Sequence, residues 1–422
     1  MIDKQGEGLV FLLSVPRSGS SLVTTILQNH SRLFATQEMW FLLSLHDLPQ
    51  SQTRPYGGTG IIRQFFNGMV PPHVLEQASR SYALEIYNGL LEGTNANMVI
   101  DKSPRYYTVL EFIDRLFPAA RRVWLIRNPL SIAASFKKVN QMRGERFHLL
   151  EELESPNFNM KMTDITVGLF RYAHYFATPH PLAYPLVYEQ LVANPAVEIG
   201  RLCDFLGVDY EPGIEKYGDF ADTPKSSLFY SMGAGDPFVG EHEQTHQDSV
   251  HSWQHLLNKK EIELYCRSIG ARMFTQLGYG EALEQAEHIT GVRFEEEADV
   301  ELLSRRTSQF LQQSGFEWKN AYRMLEEKDA DNREFIIKAG QKPALHDSLE
   351  QDVVQVVNDR RLQSLENRLA HSYEERNRLI AQLQTYQRRN QRLRSRIPFA
   401  RQLGRWASVA LSGMEKEKGG KT

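Results

Sequence analysis

The stretch FLLSVPRSGSSLVTTILQNH, residues 11–30, decides the fold. An apolar run stops at Pro16, a short segment of arginine, glycine and serines follows, and a helical pattern starts within it. Strand, small-residue loop, helix is how parallel α/β proteins hold an anion. Glycine permits close backbone approach, successive amides face the ligand, and the helix dipole adds to the attraction. The G-x-x-x-x-G-K-[ST] spacing that cradles a nucleoside triphosphate is absent. A plain βα turn also favours glycine and serine, so the segment by itself leaves both readings open.

Working outward, LVFLLSV (9–15), MVID (98–101), RVWLIR (122–127) and YPLVY (184–188) are short apolar runs of the kind buried on both faces of a parallel sheet. Helical patterns follow each: SLVTTILQNH, YYTVLEFIDRLFP, LSIAASFKKV and PAVEIGRLCDFLGV. Pro195 stands where a first helical turn tolerates proline. This alternation predicts an α/β fold, a P-loop-like parallel sheet flanked by helices. Two irregular insertions interrupt it. One, about 39–95, carries RPYGGTG, a flexible turn suited to a lid; the other, about 140–182, carries the helix-like TDITVGLFRYAHYFA. The segment NKKEIELYCRSIGARMFTQLGY (258–279) closes a first domain, 1–280.

Composition narrows the function classes. The 422 residues have a net charge of −3, which suggests neither a nucleic-acid partner nor an acidic one. With only two cysteines, Cys203 and Cys266, a disulfide scaffold is not expected and a reducing compartment is. The polar N-terminus MIDKQGEG does not resemble a signal peptide, and about 18 apolar residues never run together. The expectation is a soluble, cytoplasmic protein.

After residue 280 the character changes. Residues 281–359 form an acidic linker, and 360–422 are arginine-rich. A 3-4 spacing from Leu362 through Leu365, Leu369, Leu379, Leu383, Tyr386, Asn390 and Leu393 to Ile397 predicts a coiled coil, with Ser372 and Arg376 weakening its middle. It suits a homodimer through 360–397, Asn390 favouring a parallel pair, or else a single helix docked on its own domain. Residues 396–411 set Phe399, Leu403, Trp406 and Ala410 on one face. That pattern fits peripheral membrane contact or the end of the coil.

Chemistry in an open parallel sheet gathers beyond the carboxyl ends of its strands. After the first strand come Arg17, Ser18, Gly19, Ser20 and Ser21; after the second, Asp101, Lys102 and Arg105. Arg127 ends the third, with Ser135 one to two turns into the next helix, and Tyr188 and Glu189 end the fourth. Three of four strand ends thus bring a cation to one crevice, which points to a ligand with two anionic groups.

The motifs VPRSGSSL, RNPLSIAAS and VYEQLVANP…LCDFLGV, in this order over about residues 8–280, resemble the sulfotransferases that use 3′-phosphoadenosine-5′-phosphosulfate (PAPS). Their style is similar to that of tyrosylprotein sulfotransferases and their bacterial relatives. The resemblance implies that Arg17, Ser18, Gly19, Ser20 and Ser21 cradle the 5′-phosphosulfate. It implies that Arg127 and Ser135 bind the 3′-phosphate, with Tyr188 completing the binding set. Glu38, in ATQEMWFLL, corresponds to the catalytic base, and Arg17 and Lys102 to the groups that stabilise charge on the leaving oxygen. Arginine is a fixed charge and a poor proton donor, so a proton for that oxygen would have to come from Lys102.

The segment GDPFVGEHEQTHQDSVHSWQH resembles the loop and tryptophan that close over the nucleotide. It contains His242, His246, His251 and His255, which complete no recognised metal pattern, though one is an alternative base. No metal is expected. The implied acceptor is a hydroxyl, first of a carbohydrate or glycolipid, and otherwise of a peptide tyrosine or small phenol. A nucleotide kinase with a degenerate loop, and a non-catalytic nucleotide-binding domain that presents a coiled coil, are the competing classes. The membrane anchor and disulfides of the animal tyrosylprotein enzymes have no counterpart among these motifs.

Overall fold

A computed structural model describes residues 1–50, 59–142, 144, 147–220, 244–319 and 321–325. Residues Met1–Glu327 form one compact unit and Lys328–Thr422 a second. The coiled coil expected over 360–397, the amphipathic segment 396–411, residues 326–359 of the acidic linker, most of the RPYGGTG turn and His242 lie outside the described residues.

The chain begins β1 (Leu9–Leu13), α1 (Ser20–Gln28), β2 (Leu33–Glu38), α2 (Phe41–Asp47), α3 (Thr59–Gln64), α4 (Pro72–Leu91) and β3 (Met98–Lys102). It continues α5 (Leu110–Leu116), β4 (Arg121–Ile126), α6 (Pro129–Met142), α7 (Leu149–Glu154), α8 (Met160–Thr163), α9 (Leu169–Tyr175) and β5 (Ala183–Val187). Then follow α10 (Tyr188–Ala193), α11 (Pro195–Leu206), α12 (Trp253–Leu256), α13 (Lys259–Gln276), α14 (Gly280–Thr290) and α15 (Val300–Ser314). The five strands make one parallel sheet in the order β2-β3-β1-β4-β5. The expected parallel α/β sheet flanked by helices is therefore the fold.

Two-sided burial explains the unbroken apolar runs. Leu9, Phe11 and Leu13 of β1 face a core built with α4, α5, α6, α9 and α13. Val10 and Leu12, on the other face, pack with α1, α10 and α11. Because β3 and β4 both pair with β1, the connection between them crosses it, and the sheet reverses its order of progression there. A crevice opens at such a point, outside the strands' carboxyl ends.

One expectation needs correction. The first insertion is not irregular. It follows directly on a strand absent from the sequence reading, β2, and its described residues are largely helical; α4 buries Ser79, Ala83, Tyr87 and Leu91, one per turn. The segment TDITVGLFRYAHYFA is helical as expected, with a wider π-turn at Asp164–Gly168 that places Asp164 in the interior.

Helix α13 opens with a reciprocal cap: Glu261 N donates to Asn258 Oδ1 (3.0 Å) and Asn258 N to Glu261 Oε2 (2.8 Å). It breaks at Gly270, whose φ of 74° and ψ of 154° are not helical. A Cβ there would stand 2.6–2.7 Å from the backbone of Glu296, Glu297 and Ala298. Gly270→Ala should destabilise the unit by about 2–5 kcal/mol, the sum of left-handed strain and overpacking. Urea unfolding checks this; an unchanged midpoint would contradict it.

The described residues beyond 280 stay on the same unit. Tyr322 Oη and Leu325 N donate to Asp114 Oδ2 (2.8 and 2.9 Å), and Trp318 Nε1 donates to the Thr108 carbonyl (2.8 Å). Cys203 and Cys266 are free and buried, on α11 and α13. Among the described residues no helix is long and apolar enough to cross a membrane.

Candidate active site

The loop after β1 shows why glycine and serine stand there. Gly19, at φ 97°, precedes α1, and a Cβ on it would lie 2.5 Å from carbons of the Tyr188 ring. Arg17 also has a positive φ, 72°, which costs a non-glycine residue about 1–2 kcal/mol. Its surroundings hold it in place. The Arg17 carbonyl accepts a hydrogen bond from Arg127 Nη1 (2.9 Å), and its Nε donates to Ser135 Oγ (3.2 Å). Ser18, Ser20 and Ser21 are buried along the turn into α1.

One rim of the crevice is built on Arg127, at the end of β4 and 6% exposed. Its guanidinium lies 4.2 Å from the centroid of the Tyr188 ring, and Nη2 donates to the Ser249 carbonyl (3.3 Å). Tyr188 Oη meets Ser249 Oγ at 2.9 Å, and Ser131 Oγ donates to the Val250 carbonyl (2.9 Å). Arg127 Nε is buried with no partner among the described residues. A buried guanidinium N–H without an acceptor is costly unless a ligand completes it. Glu189 braces this rim, accepting from Asn128 N (3.0 Å) and Tyr279 Oη (2.6 Å).

The other rim joins β2 and β3. Lys102 is fully buried, with Nζ 3.4 Å from Ser21 Oγ and 3.3 Å from Glu38 Oε1. Glu38 ends β2, and its second oxygen accepts from Trp40 Nε1 (3.0 Å). The Arg105 guanidinium lies 5.5 Å from the Trp40 ring centroid and grips Asp164 with Nε and Nη2 at 2.9–3.2 Å. Tyr107 Oη donates to the same carboxylate (2.9 Å). Burial pushes the Asp164 pKa up, against the pull of Arg105 and Tyr107.

The sequence-predicted residues thus form two neighbouring groups that share the loop. Arg17, Gly19, Arg127, Ser135 and Tyr188 are linked on one side, and Ser21, Lys102 and Glu38 on the other. Trp40 and Asp164 did not stand out from sequence. Trp40 had a signal, its place two residues after Glu38 at a helix start; Asp164 had none, because only the fold brings it to Arg105.

Asp101 departs from the expected cation cluster. Neighbours on a strand point to opposite faces, so Asp101 enters the core while Lys102 faces the crevice. Tyr87 Oη (2.5 Å) and Tyr106 Oη (2.8 Å) donate to its Oδ2. Burial raises its pKa from 3.8 to about 6, opposed by the two tyrosines and by Lys102. The folded state therefore holds this proton more tightly than the unfolded chain. The stability it contributes is full below about pH 4 and is lost as pH rises through about 6, on the order of 3 kcal/mol in all. Melting temperatures from pH 4 to 7 should fall more for the native protein than for Asp101→Asn; parallel curves would contradict this.

The histidine-rich segment needs a further correction. Trp253 is 1% exposed within the core beside α6, so it does not close over the crevice. Among the described residues of this segment, Ser249 and Val250 meet crevice side chains. His251 and His255 are exposed, and His246 lies 3.7 Å from Asp248. No group of three His, Cys, Asp or Glu able to hold a metal occurs among the described residues.

Residues 10–212 match the model of a family described as the sulfotransferase family. Nodulation protein NoeE of Sinorhizobium fredii is 28% identical over 290 residues, 66% of this chain and 67% of that protein. The sulfotransferase domain of the Synechococcus PCC 7002 olefin synthase is 22% identical (TM-score 0.40), covering 61% of this chain and 92% of that one. The sulfotransferase domain from the curacin biosynthetic pathway is likewise 22% identical (TM-score 0.43), covering 64% and 98%.

Proposed function

We propose that this chain, whose residues 10–212 match the sulfotransferase family, transfers a sulfuryl group from PAPS to a hydroxyl of a carbohydrate or glycolipid. The observation that carries this reading is the glycine-tight loop at Gly19, set between the Arg127 rim and the Lys102–Glu38 pair. Two separated groups of cations suit a ligand with two anionic ends, and no lysine at the loop end serves a triphosphate.

The pocket fits such a donor. The cradle at Gly19 would close if a side chain stood there, and the Arg127 Nε lacks an acceptor among the described residues. Arg17, Ser18, Gly19, Ser20 and Ser21 would hold the 5′-phosphosulfate, and Arg127, Ser135 and Tyr188 the 3′-phosphate side. Bound PAPS supplies a sulfuryl group on a good leaving group.

The chain's own residues do the rest. Glu38 takes the proton of the acceptor hydroxyl, whose oxygen forms the new S–O bond as the bond to the bridging oxygen breaks. Lys102, buried at 3.3 Å from Glu38, pairs with that carboxylate and faces the charge that develops on the leaving oxygen. Transfers of this loose, in-line kind depend mainly on positioning and charge stabilisation.

Two experiments test the reading. Labelled PAPS incubated with the protein and a panel of hexosides and phenols should yield sulfated hexoside; label only on phenols, or on neither, would contradict the acceptor class. Arg127→Ala should weaken binding of adenosine 3′,5′-bisphosphate (PAP) by about 10- to 100-fold, the scale of a charged hydrogen bond. Normal affinity would remove Arg127 from the donor site.

A further inference from the structure

We propose that Trp40 is the acceptor platform: its indole seats a sugar ring beside Glu38, and its N–H holds the carboxylate in position. The inference rests on the sulfotransferase reading and goes beyond it in assigning a ring-binding and positioning residue.

Three observations meet at this side chain. Trp40 is 39% exposed, although it is bonded to a half-buried glutamate that itself pairs with a buried lysine. Its backbone is left-handed, φ 58° and ψ 2°, immediately before α2. A bulky residue in that region is an outlier, and such strain persists only where the surroundings over-determine it. Finally, its polar atom is directed rather than solvated: Nε1 donates to Glu38 Oε2 at 3.0 Å. A tryptophan needed only for packing would bury its ring. This one ties its N–H to the candidate base and leaves ring surface to the solvent.

The surroundings choose the ligand class. Arg105 lies against the indole at 5.5 Å, itself fixed by buried Asp164, so the platform is rigid. The C–H bonds on one face of a pyranose carry slight positive charge and meet the negative face of an aromatic ring, while its hydroxyls need polar partners. Glu38, Lys102 and Arg105 provide charged groups close by. A phenol would want an apolar slot around its ring instead. With Oε1 held by Lys102 and Oε2 by Trp40, each carboxylate oxygen keeps a second lone pair for the incoming hydroxyl.

The two roles separate in two variants. The assay measures transfer of label from saturating PAPS to octyl hexosides and, in parallel, to p-nitrophenol, with PAP titrated by calorimetry. Trp40→Phe keeps a ring and loses the N–H. It should hold the hexoside KM within about threefold and lower kcat about tenfold, the worth of one hydrogen bond to a charge. Trp40→Ala should raise the hexoside KM at least about tenfold as well. PAP affinity should stay unchanged in both, which a general loss of structure would not allow. An unaltered hexoside KM in Trp40→Ala would overturn the platform, as would native protein that binds PAP yet sulfates only the phenol. Native protein that fails to bind PAP would overturn the donor reading together with it.

Discussion

Glu38→Gln should lower kcat by about 10²- to 10⁴-fold, the range for losing a general base, while PAP affinity changes less than about twofold. The substitution keeps the shape at the end of β2 and an oxygen for the Trp40 N–H. It removes the charge facing Lys102 and the capacity to take a proton. The loss therefore belongs in turnover and not in donor binding, because Glu38 lies on the rim away from Arg127. Full activity in this variant would strike out Glu38 as base and return attention to the histidines of 242–255.

Lys102→Met should be nearly as damaging, lowering kcat by about 10²- to 10³-fold, the cost of losing one preorganised group at a site of developing charge. Lys102 is fully buried between Ser21 and Glu38, so methionine fills a similar volume without the ammonium. Arg17 cannot replace it: its Nε is engaged by Ser135, and a guanidinium does not give up a proton at neutral pH. Because the two residues form one unit, the double variant should be little worse than the weaker single one. Multiplied losses would mean that Glu38 and Lys102 act independently. Activity retained in Lys102→Met would leave Arg17 alone to stabilise the leaving oxygen.

The parts of the fold that were legible in sequence are those buried on both faces. LVFLL, RRVWLI and their neighbours have no polar alternation, and the helices after them carry apolar stripes and conventional ends such as Pro195 and Gly207. Strand β2 was not legible because its second half, Thr36-Gln37-Glu38, is polar. It is polar because it runs into the crevice, so the chemistry that marks the site hides the strand. The loop residues, Arg127 and Lys102 could be placed because strand ends locate them.

Asp101 was misplaced since a cluster in sequence ignores that adjacent strand residues face opposite ways. Trp253 was misplaced because a tryptophan near a ligand loop and one in the core look alike in sequence; only its packing beside α6 distinguishes them. The partnership of Arg105 with Asp164 spans 59 residues, and no local pattern announces it.

The crevice, on this reading, is built for two anionic groups of one nucleotide. Calorimetric titration of the full chain with PAP, run beside 5′-AMP and ATP, tests it most directly. PAP should bind with micromolar or tighter affinity, 5′-AMP at least about tenfold more weakly for want of the 3′-phosphate contacts, and ATP with little response. Equal affinity for PAP and 5′-AMP, or binding of ATP alone, would contradict it.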